Sequence, residues 1–130
     1  MLSSEASLVF SAALLNFALG GLWYTVFKSK WLEAWKLKES DLNIKDPKPY
    51  LVAFIGSLWT SYGLFLVIKH IQPKNVSELM GIAIGAWLLI LVGSSAKHYA
   101  FARRSLSAFV IDYSVDLIGI VLMCLIIGSN

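Results

Sequence analysis

Four long stretches of this chain are almost free of charge, and that feature decides what it can fold into. Residues 7–27, 50–68 and 79–96 contain no Asp, Glu, Lys or Arg, and residues 106–128 contain only Asp112 and Asp116. A hydrocarbon layer of about 30 Å is crossed by about 20 residues of α-helix, so each stretch has the length of one span. Barrel strands would instead show ten-residue segments of alternating polarity, which are absent here. Hydrophobic residues make up 58% of the 130 and charged residues 15%, an apolar excess that a water-soluble domain of this size has no interior to hold. The pattern predicts an all-α, integral membrane bundle of four transmembrane helices in one domain over 1–130. Its spans fall at about 7–27, 50–68, 79–101 and 106–128. The third is extended to 101 because Lys97, His98 and Tyr99 can remain helical while reaching toward the polar side.

The cations give the direction. Lys28, Lys30, Lys36, Lys38, Lys45 and Lys48 lie between the first two spans, and Lys97, Arg103 and Arg104 between the last two. The middle loop holds only Lys69 and Lys74, and the two ends hold none. Basic residues stay on the cytoplasmic side, which predicts cytoplasmic loops at 28–49 and 102–105 with both termini outside. The net charge of +3 thereby reports orientation in the membrane rather than a nucleic-acid partner. Glu5, not a basic stretch, precedes the first apolar run, so no cleaved signal peptide is expected.

The first loop opens with Trp31, Leu32, Trp35 and Leu37 set among lysines. This predicts a short amphipathic helix over about 29–39, with Trp31 and Trp35 at headgroup depth and lysines facing anionic lipid. It should end before Asp46-Pro47-Lys48-Pro49, where two prolines remove backbone donors.

The run Gly21-Leu22-Trp23-Tyr24-Thr25-Val26-Phe27-Lys28-Ser29-Lys30-Trp31 resembles a family of small bacterial membrane proteins catalogued as domain of unknown function 1761. In that family a glycine near the end of the first span precedes Trp-Tyr, then a Phe and another Trp. Phe109-Val110-Ile111-Asp112 resembles its Ile-Asp segment in the last span. Thr25-Val26 replaces the family's usual Ser-Pro, and Asp116 stands where a histidine is usual. The resemblance implies a four-span layout over the whole chain and implies no activity.

Ionisable groups at membrane depth cost about 2.5–3.5 kcal/mol at the centre, so each demands a partner or a role. At about 1.5 Å per residue from Leu106, Asp112 lies about 9 Å and Asp116 about 15 Å into the span, four residues apart on one face. An antiparallel hairpin through Ala102–Ser105 brings Lys97 and His98 to the depth of Asp112. The expected pair is Lys97–Asp112, with His98 or Arg103 as substitutes, while Asn16 in the first span is placed to hydrogen-bond Asp116. Two readings follow: a polar relay for protons or small cations, or interhelical ties in a bundle without chemistry.

Gly81 and Gly85, with Gly93 two turns beyond, and Gly56, Thr60 and Gly63 on the second span, predict close helix packing, chiefly within the fold. Trp59 and Trp87 fall near mid-span and are expected to pack or line a cavity, whereas Tyr50 and Tyr99 suit the interface. His70, His98 and Cys124 are too scattered for a metal site. No nucleophile with an oriented base and no phosphate-binding glycine loop is present, so neither an enzyme nor a cofactor is expected. The expected function is a small oligomeric transport or permeation protein for protons or small cations. The alternative is a scaffold or accessory subunit, with a second copy or another membrane protein as partner besides the lipid bilayer.

Overall fold

A computed structural model describes residues 2–129 as six α-helices. They are α1 (Leu2–Val26), α2 (Lys28–Trp35), α3 (Lys48–Ile71), α4 (Val76–Gly85), α5 (Gly93–Phe101) and α6 (Leu106–Gly128). Between α4 and α5 the chain winds as a π-helix over Ala86–Val92, so that Val76–Phe101 forms one continuous rod. This rod, α1, α3 and α6 are each long and apolar enough to cross a membrane.

Local chemistry fixes the helix ends. At Phe27 the backbone leaves helical geometry (φ −100°, ψ 16°), and the chain turns from α1 directly into α2. The α2 terminus is a Schellman motif, in which Leu37 N donates to Leu32 O (2.9 Å) and Lys36 N to Glu33 O (3.1 Å), with Lys36 left-handed at φ 57°. The end of α5 repeats it: Arg104 N donates to Tyr99 O (2.9 Å) and Arg103 N to Ala100 O (3.1 Å), with Arg103 at φ 55°. Pro49 sits in the first turn of α3, where its missing donor costs nothing. Asn75 and Ser105 cap α4 and α6 by accepting from Glu78 N (2.9 Å) and Ala108 N (3.2 Å). The predicted amphipathic helix is shorter than its sequence pattern: α2 stops at Trp35, and a separate 3₁₀ turn covers Glu39–Asp41. Lys28 ties that turn back through a 2.6 Å ion pair whose hydrogen bond holds the Glu39 carboxyl below its ordinary range.

The last helix is the centre of the bundle. It packs against α1, α3 and α4, α1 also packs on α3, and the Val76–Phe101 rod meets the rest chiefly through α6. Its buried residues are Ala108, Val115, Gly119, Ile120, Met123, Cys124 and Ile127. Ala12 of α1, Leu64 and Ile68 of α3, and Leu79 and Ala83 of α4 join them in one core. Two serines join α3 to α1 inside this core, Ser61 Oγ donating to Val9 O (2.8 Å) and Ser57 Oγ accepting from Asn16 Nδ2 (2.9 Å).

The glycines divide in a way the sequence did not predict. A Cβ on Gly81, Gly85, Gly93, Gly56 or Gly63 would meet nothing within 4 Å, so these surfaces point away from the fold rather than into its helix contacts. The glycines that do permit close packing are on α6. A Cβ on Gly119 would overlap the side-chain oxygen of Asn16, and one on Gly128 would come within 2.6 Å of Leu79. Overpacking of this kind costs about 1–3 kcal/mol. Gly119→Ala should therefore lower resistance to unfolding in detergent by that amount, Asn16→Ala should recover part of it, and Gly81→Ala and Gly85→Ala should leave it unchanged.

Candidate functional site

One turn of α6 collects six of the ten Trp and Tyr side chains of the chain. Both oxygens of the Asp112 carboxylate are engaged twice. Oδ1 accepts from Tyr24 OH (2.6 Å) and Trp31 Nε1 (2.9 Å), and Oδ2 accepts from Tyr99 OH (2.5 Å) and Trp35 Nε1 (3.1 Å). The backbone carbonyls on either side are used too, Ile111 O accepting from Trp23 Nε1 (3.0 Å) and Tyr113 O from Trp87 Nε1 (2.7 Å). Four of the five tryptophans thus donate to residues 111–113. A carboxylate has about four lone-pair sites, and here all four are filled by neutral donors.

Each donor is placed by a distinct feature of the sequence. Tyr24 comes from the last turn of α1. The break at Phe27 then swings α2 across α6, and the spacing of Trp31 and Trp35 by four puts both indoles on its inner face. Tyr99 comes from α5, whose facing is set by the slower winding of the π segment before it. The α5–α6 turn clamps the far end of α2: Arg104 Nη1 donates to Trp35 O (3.0 Å), Ser105 Oγ to Ala34 O (3.1 Å), and the guanidinium lies 4.7 Å from the Trp35 ring centre. A cation and a hydroxyl thereby satisfy carbonyls at a helix C-terminus, where both are favoured. Ring contacts Tyr24–Trp31, Trp31–Trp35 and Trp35–Tyr99, with centres 5.5–6.0 Å apart, close the box.

Three sequence-based expectations are corrected here. Lys97 and His98 are exposed, and the ion pairs among the described residues are Lys28–Glu39 and Lys69–Glu5, so the Lys97–Asp112 pair does not form. Arg103 is exposed as well, and Arg104 acts on α2 rather than on Asp112. Trp31, Trp35 and Tyr99 turn inward to Asp112 instead of outward to an interface. Trp59, expected to pack, is 80% exposed.

Asp116, on the same helix, differs from Asp112 in exposure and in hydrogen bonding. It is exposed, and no side chain among the described residues hydrogen-bonds it; Asn16 is spent on Ser57 and lies against Gly119. The α1 register explains the exposure. Asn16 meets Gly119 and Tyr24 meets Asp112, so Gly20, one turn from each on the same face of α1, stands level with Asp116. A Cβ on Gly20 would meet nothing within 4 Å.

Fold and site together define an all-α protein of four membrane-length helices organised on a carboxylate in the last of them. The chain belongs to the family described as Protein of unknown function (DUF1761), whose pattern matches residues 7–128. No curated protein and no solved structure matches it.

Losing one hydrogen bond to a charged group costs about 1.5–3 kcal/mol. Trp31→Phe and Trp35→Phe should each lower stability by that amount. Asp112→Ala, which removes the acceptor of both, should also speed tryptic cleavage at Lys30 and Lys36 as α2 comes away from α6. Unchanged cleavage in Asp112→Ala would contradict the assignment.

Proposed function

We propose that this chain is a small oligomeric membrane transport or permeation protein that accepts a proton or small cation at Asp116. The observation that supports this is the contrast between the two aspartates. Asp112 has no lone pair left to offer and acts as the anchor of the bundle. Asp116, at mid-helix, is exposed and has no hydrogen-bond or ion-pair partner among the described residues. A carboxylate at that depth is costly unless something positive reaches it. Lys97, His98 and Asn16, which the sequence pattern groups with the aspartates, are not needed in this reading. In this reading both termini lie outside, with loops 28–49 and 102–105 on the cytoplasmic side of a plasma membrane, a placement supported by the distribution of Lys and Arg.

A second reading, a scaffold or accessory subunit, draws support from the bare surfaces at Gly81, Gly85 and Gly93, which suit close approach of a foreign helix. The two readings separate experimentally. In proteoliposomes loaded with a pH-sensitive dye, the native chain should give cation or proton flux and Asp116→Asn should abolish it while the oligomer ladder seen on cross-linking persists. Equal flux in both proteins, or no flux in either alongside one heteromeric cross-linked band, would favour the scaffold.

A further inference from the structure

At the end of the bundle away from the Asp112 box, α1, α3 and α6 line a recess of about 260 Å³. Its apolar side is formed by Leu8, Phe65, Ile68 and Ile127, and the last two are buried in the core described above. Its charged side is formed by Glu5 and Lys69. This division follows from helix spacing. Glu5 lies three residues before Leu8 on α1 and Lys69 four after Phe65 on α3, so on each helix the charge sits one turn nearer the end than the apolar group on the same face. Leu8 and Phe65 are each six residues, about 9 Å, from the end of the helix that carries them. Gln72, left-handed at φ 56°, turns the chain out of α3, and with Pro73 it completes the lining.

Lys69 Nζ lies 3.3 Å from Glu5 Oε1 and 5.5 Å from the centre of the Phe65 ring. The ammonium is thus held between a carboxylate and an aromatic ring, where the charged and apolar sides meet. The pair is loose, since charge-assisted contacts of nitrogen with oxygen settle at about 2.7–2.9 Å, and the Lys69 and Glu5 side chains remain 61% and 38% exposed. An ion pair of this kind contributes little and opens readily. A ligand of one sign gains one partner here and is repelled by the other, whereas a ligand carrying both signs meets a partner for each. The volume limits its apolar part. An apolar cavity of about 150 Å³ admits benzene, so this recess has room for a ring or branched chain with two small charged groups. A reach of about 9 Å is too short for a lipid chain, which fills a leaflet of about 15 Å.

We infer that this recess is a binding site for a small zwitterion, an ammonium and a carboxylate on an apolar body, the chemistry of an amino acid with a large apolar side chain. Glu5 takes the ammonium and Lys69 the carboxylate, while Leu8, Phe65, Ile68 and Ile127 receive the apolar body. A phosphatidylethanolamine headgroup offers the same two charges, but its chains exceed the recess. The site goes beyond the reading of Asp116 as a cation-accepting group and does not rest on it.

The test is equilibrium dialysis of labelled L-phenylalanine against the full chain in phosphatidylglycerol nanodiscs, whose headgroups carry no ammonium. Saturable binding is expected for the native protein. Affinity should weaken about tenfold or more in Glu5→Gln and in Lys69→Gln, a loss of at least about 1.4 kcal/mol, with thermal stability unchanged because the pair is exposed. Phenethylamine and 3-phenylpropionate, which each lack one charge, and glycine, which lacks the apolar body, should compete about tenfold or more weakly than L-leucine. Leu8→Trp, whose larger side chain fills the apolar side, should abolish binding. Asp116→Asn should bind as the native protein does, so that failure of this site and failure of the cation reading are seen in different variants. No saturable binding, equal binding in the native, Glu5→Gln and Lys69→Gln proteins, or equal competition by the singly charged analogues would overturn the inference. So would displacement of L-phenylalanine on adding phosphatidylethanolamine to the nanodiscs, which would give the recess to a lipid instead of a soluble zwitterion.

Discussion

Four hydrogen bonds to one carboxylate hold this structure together at the end where its helices would otherwise be least connected. The core of small and aliphatic residues around Ala83, Met123 and Cys124 lies toward the other end of α6. Around Asp112 the packing is aromatic, and its geometry is dictated by where a Trp N–H or Tyr O–H must point. α1, α2 and α5 each supply donors, and α6 supplies the acceptor. In a low-dielectric setting such a network is most stable when its members are satisfied, and the carboxylate meets that condition with two donors on each oxygen, while Nε of the adjoining Arg104 is buried without a partner among the described residues. Its most specific consequence is the position of α2, whose sequence is that of a surface helix but whose indoles are claimed by α6.

The architecture was legible because lipid leaves few alternatives. Charge-free stretches of span length, and prolines at positions 47 and 49, located the long helices from composition alone. The carboxylates were legible as well, since an acid in a span always needs explanation. Their partners were not. Chain connectivity brought Lys97 to the depth of Asp112, but depth is not direction. The π segment over Ala86–Val92 changes which side chains of α5 face α6, and Tyr99 rather than Lys97 arrives. Trp31 and Trp35 were read as anchors because they lie among lysines, and only the turn at Phe27 reveals that their side of α2 faces inward. The glycine motif at Gly81 and Gly85 misled for a related reason: a small-residue stripe records that something approaches closely without recording that it belongs to the same chain.

The two aspartates, four residues apart, therefore do unlike work. Asp112 is consumed by structure, and its saturation frees Asp116 from that duty. Asn16 marks the boundary on the other side, joining α1 to α3 through Ser57 and to α6 across Gly119. Between these two fixed points lies Asp116, which has no hydrogen-bond partner among the described residues.

The central claim is that aromatic donors, not a lysine, hold Asp112. Solid-state NMR in lipid, with the indole nitrogens, lysine side-chain nitrogens and aspartate carboxyl carbons labelled, tests it most directly. The account predicts strong dipolar coupling from the Asp112 carboxyl carbon to Trp31 and Trp35 Nε1, consistent with nitrogen–oxygen separations of 2.9 and 3.1 Å, and none to Lys97 Nζ. Coupling to Lys97 Nζ with none to either indole would contradict it.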